Sequence, residues 1–354
     1  MDIQIEYTGP TGFNESISPN ENVSGPTGFN QSISPNENAS GPTGTVGQPQ
    51  SVQPPASTGV EQTGSTGPCE VKEKPIISGD FDTLVLSGGS IHAMIMLGSL
   101  QYATDNNLLH KITTYVGASA GTICGYLLAI GYSPTEIMVY LCTKQVLERM
   151  KQFNLVAMMN GGGATSFSYI HEQLERMTIE KIGRLITLKD LYIIFGKKLI
   201  CTTHNITTDK LEILSYETYP DMPCLIALRM SSNLPFIFEH FQYLGSYYID
   251  GGISNNFPVD IAEQHGKKIL GLVIYDVNMN FSKNSNNMIE YIYQIMSIPI
   301  KQSVTNNIDK ASNKCYIVKL HPDDTLFFNF NLDSHAKLEM FSNGYTQLQK
   351  HWES

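Results

Sequence analysis

Lysine and arginine are absent from residues 1–71, and over the whole chain they number 23 against 33 acidic side chains. The resulting net charge of −10 excludes nucleic acid as a main partner. It also excludes simple electrostatic attachment to anionic lipid, although a local basic patch is compatible with it. No uninterrupted apolar run approaches the length of a membrane span, so no transmembrane segment is expected. Met1 to Glu6 offers neither a basic region nor an apolar one, and a secretory signal is not expected there. The six cysteines, Cys69, Cys124, Cys142, Cys201, Cys224 and Cys315, contain no Cys-x-x-Cys pair. They read as reduced thiols serving as small core residues in an intracellular protein, cytoplasmic or peripheral to membranes. The histidines show no ligand spacing with each other or with the cysteines, and no calcium-loop pattern is visible. Neither a metal nor another cofactor is expected.

What is present falls into two parts. Residues 1–78 are rich in Gly, Pro, Ser and Asn and carry a repeat of period 16. Gly9-Pro10-Thr11-Gly12-Phe13-Asn14 returns at Gly25 to Asn30, and Gly41 begins a third Gly-Pro-Thr-Gly. Such a segment has too little apolar surface to offset chain entropy, and it reads as a disordered tail. Asparagine-rich composition and repeats of this kind are reminiscent of AT-rich genomes, including those of large DNA viruses. Residues 79–354 read as one globular domain.

Within that domain, Asp82 to Ser87, Ile112 to Val116, Lys198 to His204 and Lys268 to Asp276 are β-prone runs. Helices are expected at Met94–Asn107, Thr122–Ile130, Ser168–Ile179 and Cys224–Ser231. Ser133-Pro134-Thr135-Glu136 combines an N-cap serine, proline at the first helical position and glutamate at the third. It opens a helix expected to run to about Met150. Two short strands flank Gly245. Strands alternating with helices indicate an α/β fold with a central, mainly parallel sheet flanked by helices. Phe153 to Met159 reads either as an apolar lid or as core.

Three strand ends carry the chemistry. Gly117-Ala118-Ser119-Ala120-Gly121 has the Gly-x-Ser-x-Gly spacing between a strand and a helix. Such a turn lifts a serine hydroxyl out of the sheet and aims a helix N-terminus at it. Gly88-Gly89-Ser90 follows the first strand, where successive backbone N–H groups can cradle an oxyanion. Asp250-Gly251-Gly252 follows a later strand. Taken singly, each has an ordinary reading as a tight turn. A histidine partner for Ser119 is also open on paper, with His321 the best placed of His265, His321, His335 and His351.

Together, Gly88 to Ala93, Gly117 to Gly121 and Asp250 to Gly252 resemble the patatin-like phospholipase family. Further resemblance lies in Gly196 to Thr208, Ala227 to Phe236 and Asp250 to Pro258. The resemblance implies a Ser–Asp dyad, with Ser119 as nucleophile and Asp250 as base, acting on lipid esters at a transient membrane surface through an acyl-enzyme. A free carboxylate with a pKa near ~3.9 is a weak base toward a hydroxyl, so such a dyad depends on its surroundings. Gly88, Gly89, Ser90 and His92 would form the oxyanion turn. This turn departs from the family's Gly-Gly-Gly-x-Arg/Lys-Gly at Ser90, His92 and Ala93. With the family's permanent cation replaced by a group titrating near ~6.5, activity is expected to fall as His92 deprotonates. A pH–rate profile unchanged in His92→Ala would overturn that. A general carboxylesterase or acyltransferase, or a lipid-binding protein impaired by the altered turn, are the alternative readings.

Overall fold

A computed structural model describes residues 79–354, except 145, 151–153, 161, 276–287, 323–329 and 331. The repeat tail over 1–78, with Cys69 in it, lies outside the described residues, as does Phe153.

The chain enters through β1 (Thr83–Leu86), a short 3-10 turn (Ser90–His92), α1 (Ala93–Asp105), β2 (Thr114–Gly117) and α2 (Ala120–Ala129). It continues with α3 (Pro134–Thr143), α4 (Leu155–Met159), α5 (Ser168–Ile182) and α6 (Leu188–Phe195). Next come β3 (Lys198–Asn205), β4 (Lys210–Leu214), α7 (Cys224–Ser231), β5 (Phe241–Tyr243), β6 (Ser246–Asp250) and α8 (Gly252–Asn255). The last elements are α9 (Val259–His265), β7 (Ile269–Ile274), α10 (Met288–Lys310), β8 (Cys315–Leu320) and α11 (Ser334–Glu353).

Among the described residues one sheet of eight strands carries the fold, in the order β5-β6-β3-β2-β1-β7-β8, with β4 added along β3. The run from β3 to β8 is parallel, and β4, β5 and β6 are antiparallel. Strands buried on both faces read as continuous apolar runs rather than alternating ones. Successive residues still go to opposite faces. Leu84 and Leu86 of β1, Leu270 and Leu272 of β7, and Tyr115 of β2 pack into the larger core, with α1, α2 and α7. Val85, Val116, Ile200 and Val273 pack on the other face, against α9 and Val304 of α10. The result is three layers, each fully buried Leu or Val contributing about 1.5–3 kcal/mol.

Local signals set several boundaries as expected. Ser133 and Glu136 form a reciprocal capping box with Pro134 at the first turn, and Thr187 and Asp190 form another. Leu244 at φ +47° and Gly245 at φ +83° make the tight turn between β5 and β6, with the doubly positive φ that a hairpin favours. The helix opened at Ser133 does not reach Met150: α3 stops at Thr143. The fully buried Lys337 of α11 donates to the Leu141 carbonyl at 3.0 Å and pairs with Glu148 at 2.6 Å. A cation on the last carbonyls stabilises a helix C-terminus. Beyond it, Val146 and Met150 turn inward and are buried. Of the apolar run before the glycines, Met158 is buried and Val156 is exposed.

Candidate active site

The sheet brings the three motifs together through an arrangement along β3. Strand β2 pairs with the first half of β3, ending at Gly117 opposite Cys201. Strand β6 pairs with the second half, ending at Asp250 opposite Thr203. Because β4 occupies the other edge from Cys201 to Asn205, β2 and β6 must share one edge. Running in opposite directions, their C-terminal ends meet head-on with only Thr202 between them. A Cβ on Gly251 would lie 2.1 Å from the Thr202 carbonyl oxygen, so this close approach excludes any side chain at that position.

The serine turn has the geometry its motif implies. Ser119 sits at φ +53°, ψ −129°, a region that costs a non-glycine residue about 1–3 kcal/mol. The strain is held by the surroundings. Gly121 lets the first turn of α2 rest on β1, where a Cβ would lie 2.4 Å from the Leu86 carbonyl oxygen. The Ala118 N–H donates to that same carbonyl at 3.3 Å. The N-terminus of α2, with its partial positive charge, follows Ser119 directly.

Asp250 is 3% exposed. Its Oδ1 accepts the Gly252 N–H at 2.7 Å, and the Ser119 hydroxyl lies close enough to act on the ionisation of its carboxylate. Burial pushes the Asp250 carboxyl up from 3.8 to about 6, against the downward pull of the Ser119 hydroxyl and the Gly252 N–H. A carboxylate in this range is a considerably better proton acceptor than a solvated one.

The glycine turn lies beside them: a Cβ on Gly88 would be 3.1 Å from the Ser119 Cβ. Its four residues play unequal parts. The Gly88 N–H donates to the Asn256 carbonyl at 3.0 Å, and the His92 N–H donates to the Gly89 carbonyl at 2.9 Å. Both amides are therefore withdrawn from any substrate. Among the described residues, the Gly89 and Ser90 N–H groups meet no acceptor. Ser90 adopts φ +48°, the left-handed conformation that a glycine would take without cost. The His92 side chain is buried and lines the same cavity.

That cavity has a volume of about 440 Å³. Gly88, Gly89, Ser90, His92, Ser119, Asp250 and Gly252 all line it. Away from them it is walled by apolar side chains of α1, α2, α3 and α5, among them Leu97, Leu127, Ile137, Leu174 and Met177. None of His265, His321, His335 and His351 lines it, and among the described residues His92 is its only histidine. His265 instead contacts Lys198 at 2.9 Å, and His321 packs against Tyr275.

Two residues given no role from the sequence tie the motifs to one another. The Ser231 hydroxyl accepts the Ser119 N–H at 3.1 Å and meets the Thr122 hydroxyl at 3.0 Å. The Ser231 carbonyl accepts the Gly251 N–H at 3.2 Å. Asn256 holds Gly88 from both sides, through its carbonyl and through Nδ2 to the Gly88 carbonyl at 3.4 Å. The only signal for either was its position inside runs resembling the family.

The Patatin-like phospholipase family model matches residues 84–263. Over 195 residues the chain is 40% identical to a "probable lipid hydrolase" of Invertebrate iridescent virus 6, covering 53% of this chain and 66% of that protein. The matched stretch thus spans slightly less than two thirds of that relative. Over 288 residues it is 26% identical to an uncharacterized protein of Acanthamoeba polyphaga mimivirus, covering 78% of this chain and 95% of the relative. Both relatives are viral, in keeping with the composition. Among solved structures, VipD from Legionella pneumophila aligns with a TM-score of 0.46 at 15% identity, covering 77% of this chain and 67% of VipD. The type III effector ExoU aligns at 0.43 and 15%, covering 77% and 53%. The family match extends from β1 into α9 and takes in all three strand-end motifs, and the chain belongs to the patatin-like phospholipase family.

Proposed function

We propose that this chain is a lipid acyl hydrolase of the phospholipase A type, working through a Ser119–Asp250 dyad and an acyl-enzyme. The observation that carries the reading is the buried Asp250 carboxylate, whose ionisation the Ser119 hydroxyl influences, with both residues at the wall of a mostly apolar cavity. In the first step Asp250 takes the Ser119 proton as Oγ attacks the ester carbonyl. The Gly89 and Ser90 N–H groups and the α2 N-terminus stabilise the oxyanion. Gly88 and His92 act as the frame of that turn. Collapse breaks the ester C–O bond, and Asp250 returns the proton to the departing alcohol. Water then gives a proton to Asp250 and attacks acyl-Ser119, and collapse releases the fatty acid as the proton returns to Ser119. The apolar walls support an acyl chain as the bound group, each buried methylene contributing about 0.8 kcal/mol.

No described helix is long and apolar enough to cross a membrane. Contact with the lipid surface is transient in this reading. The exposed Tyr291, Ile295 and Ile298 of α10, at helical spacing on an element that also lines the cavity, support it.

A fluorophosphonate probe tests the dyad reading. The wild type is expected to label covalently, and Ser119→Ala to lose all labelling while keeping its circular dichroism. A folded wild type that does not label would favour a binding protein instead.

A further inference from the structure

One wall of the cavity differs from the rest. Helix α10 turns Ser297, Ile300, Lys301, Val304 and Thr305 toward it, at intervals of three and four residues, which is the spacing of a single helix face. This wall is fixed close to the proposed dyad. The Ser303 hydroxyl donates to the Ser254 carbonyl at 3.3 Å. The Asn307 side-chain amide donates to Asn255 Oδ1 at 2.9 Å and to the Phe257 carbonyl at 3.0 Å. All three acceptors lie within seven residues of Asp250 along the chain.

Lys301 is half-buried on this wall, and among the described residues it is the one lysine or arginine lining the cavity. No carboxylate among the described residues comes within 4.0 Å of it. The cavity's only described carboxylate, Asp250, accepts the Gly252 N–H and lies beside Ser119. A half-buried ammonium on the wall of a mostly apolar cavity, with no carboxylate partner among the described residues, is a position from which an anionic group of a ligand can be met. The net charge of −10 means that the protein as a whole does not draw in an anion, so the attraction must be local.

We propose that Lys301, with the Thr305 hydroxyl beside it one helical turn on, is the subsite for the phosphodiester of a lipid headgroup. This rests on the reading of the chain as a lipid acyl hydrolase. An acyl chain would run into the apolar end between α1, α2, α3 and α5, its ester would lie at Ser119, and the phosphodiester would meet α10. Lys301 then selects among substrates rather than taking part in bond breaking.

The test compares dihexanoyl-phosphatidylcholine with dihexanoyl-glycerol, each below the concentration at which it aggregates, so that surface binding does not enter. The two substrates offer the same acyl chains and differ in the phosphodiester headgroup. Lys301→Gln is expected to lower kcat/KM for the phospholipid by about tenfold or more, chiefly through KM. The loss on the diacylglycerol should be at least about five times smaller, and Lys301→Arg should recover most of the phospholipid rate. Equal losses on both substrates, or no loss on either, would overturn the subsite while leaving the hydrolase reading intact. A folded wild type that hydrolyses neither lipid overturns both. Inorganic phosphate, added at constant ionic strength, should leave diacylglycerol hydrolysis unchanged. Inhibition by phosphate that disappears in Lys301→Gln would assign the lysine to the free anion and overturn the lipid subsite.

Discussion

Asp250→Asn is expected to lower kcat by about 10³-fold or more, and at the same time to make the protein more stable at pH 7. The first effect is the removal of a general base, which contributes about 10²–10⁴-fold when well placed. Asn can still accept the Gly252 N–H through its oxygen, so the turn keeps its shape and KM should change little. The second effect follows from the direction of the Asp250 shift. Burial raises its carboxyl from 3.8 to about 6, so the folded state holds this proton more tightly than the unfolded state. The associated stability is fully present below pH 3.8 and is lost as pH rises through about 6. That interval corresponds to about 3 kcal/mol at most, a cost that wild type carries at neutral pH and an amide avoids.

Activity moves the other way, because only the ionised carboxylate accepts a proton. The rate should therefore climb through pH ~6 while wild-type stability declines. Urea midpoints measured from pH 4 to pH 8 should show that decline in wild type and a flatter profile in Asp250→Asn. Parallel stability profiles, or a kcat within tenfold of wild type, would remove Asp250 from the proposed role.

The readable part of this site is the part written locally. Ser119 lies between a β-prone run and an apolar helix, and its backbone takes the conformation that such a turn requires. Gly88-Gly89-Ser90 follows a strand whose four residues are all buried, and α7 spans Cys224–Ser231 as expected. What was not readable depends on residues far apart. Nothing near Asp250 in the sequence indicates that β6 meets β2 head-on along β3, yet that pairing sets the carboxylate beside Ser119. The same holds for its basicity, which comes from burial. The end of α3 at Thr143 was misjudged because Lys337, which takes up the Leu141 carbonyl, is 196 residues away. Ser231 and Asn256 are polar residues in ordinary polar runs, and only the folded chain places them between motifs. The sequence offers Gly88, Gly89 and Ser90 alike as N–H donors, with His92 in place of a permanent cation, whereas the hydrogen bond from the Gly88 N–H to the Asn256 carbonyl sets Gly88 apart from Gly89 and Ser90.

Gly344→Ala should be among the most damaging single-methyl changes in the fold, with a loss of about 2–4 kcal/mol. Ordinary helix propensity predicts the opposite sign, since alanine in a helix interior is favoured over glycine by about 1 kcal/mol. The crossing of α1 and α11 reverses it. A Cβ on Gly344 would lie 1.8 Å from the Ile95 carbonyl oxygen, and a Cβ on Gly98 would lie 1.8 Å from the Phe341 carbonyl oxygen. Both obstacles are backbone atoms of a helix, so neither can swing aside as a side chain would. The contact is reinforced by the Ser99 hydroxyl, which donates to the Gly344 carbonyl at 2.8 Å. To admit a methyl group the helices must separate, and α1 has little freedom to do so. It begins at Ala93, directly after the Ser90–His92 turn, and carries Met94 and Leu97 into the cavity wall. Any movement of α1 is therefore transmitted to the proposed oxyanion donors at Gly89 and Ser90. Gly344→Ala should lower the urea midpoint with little change in m, and the fraction that remains folded should label more slowly with a fluorophosphonate. A Gly344→Ala protein as stable as wild type would mean that α1 and α11 do not cross at backbone contact.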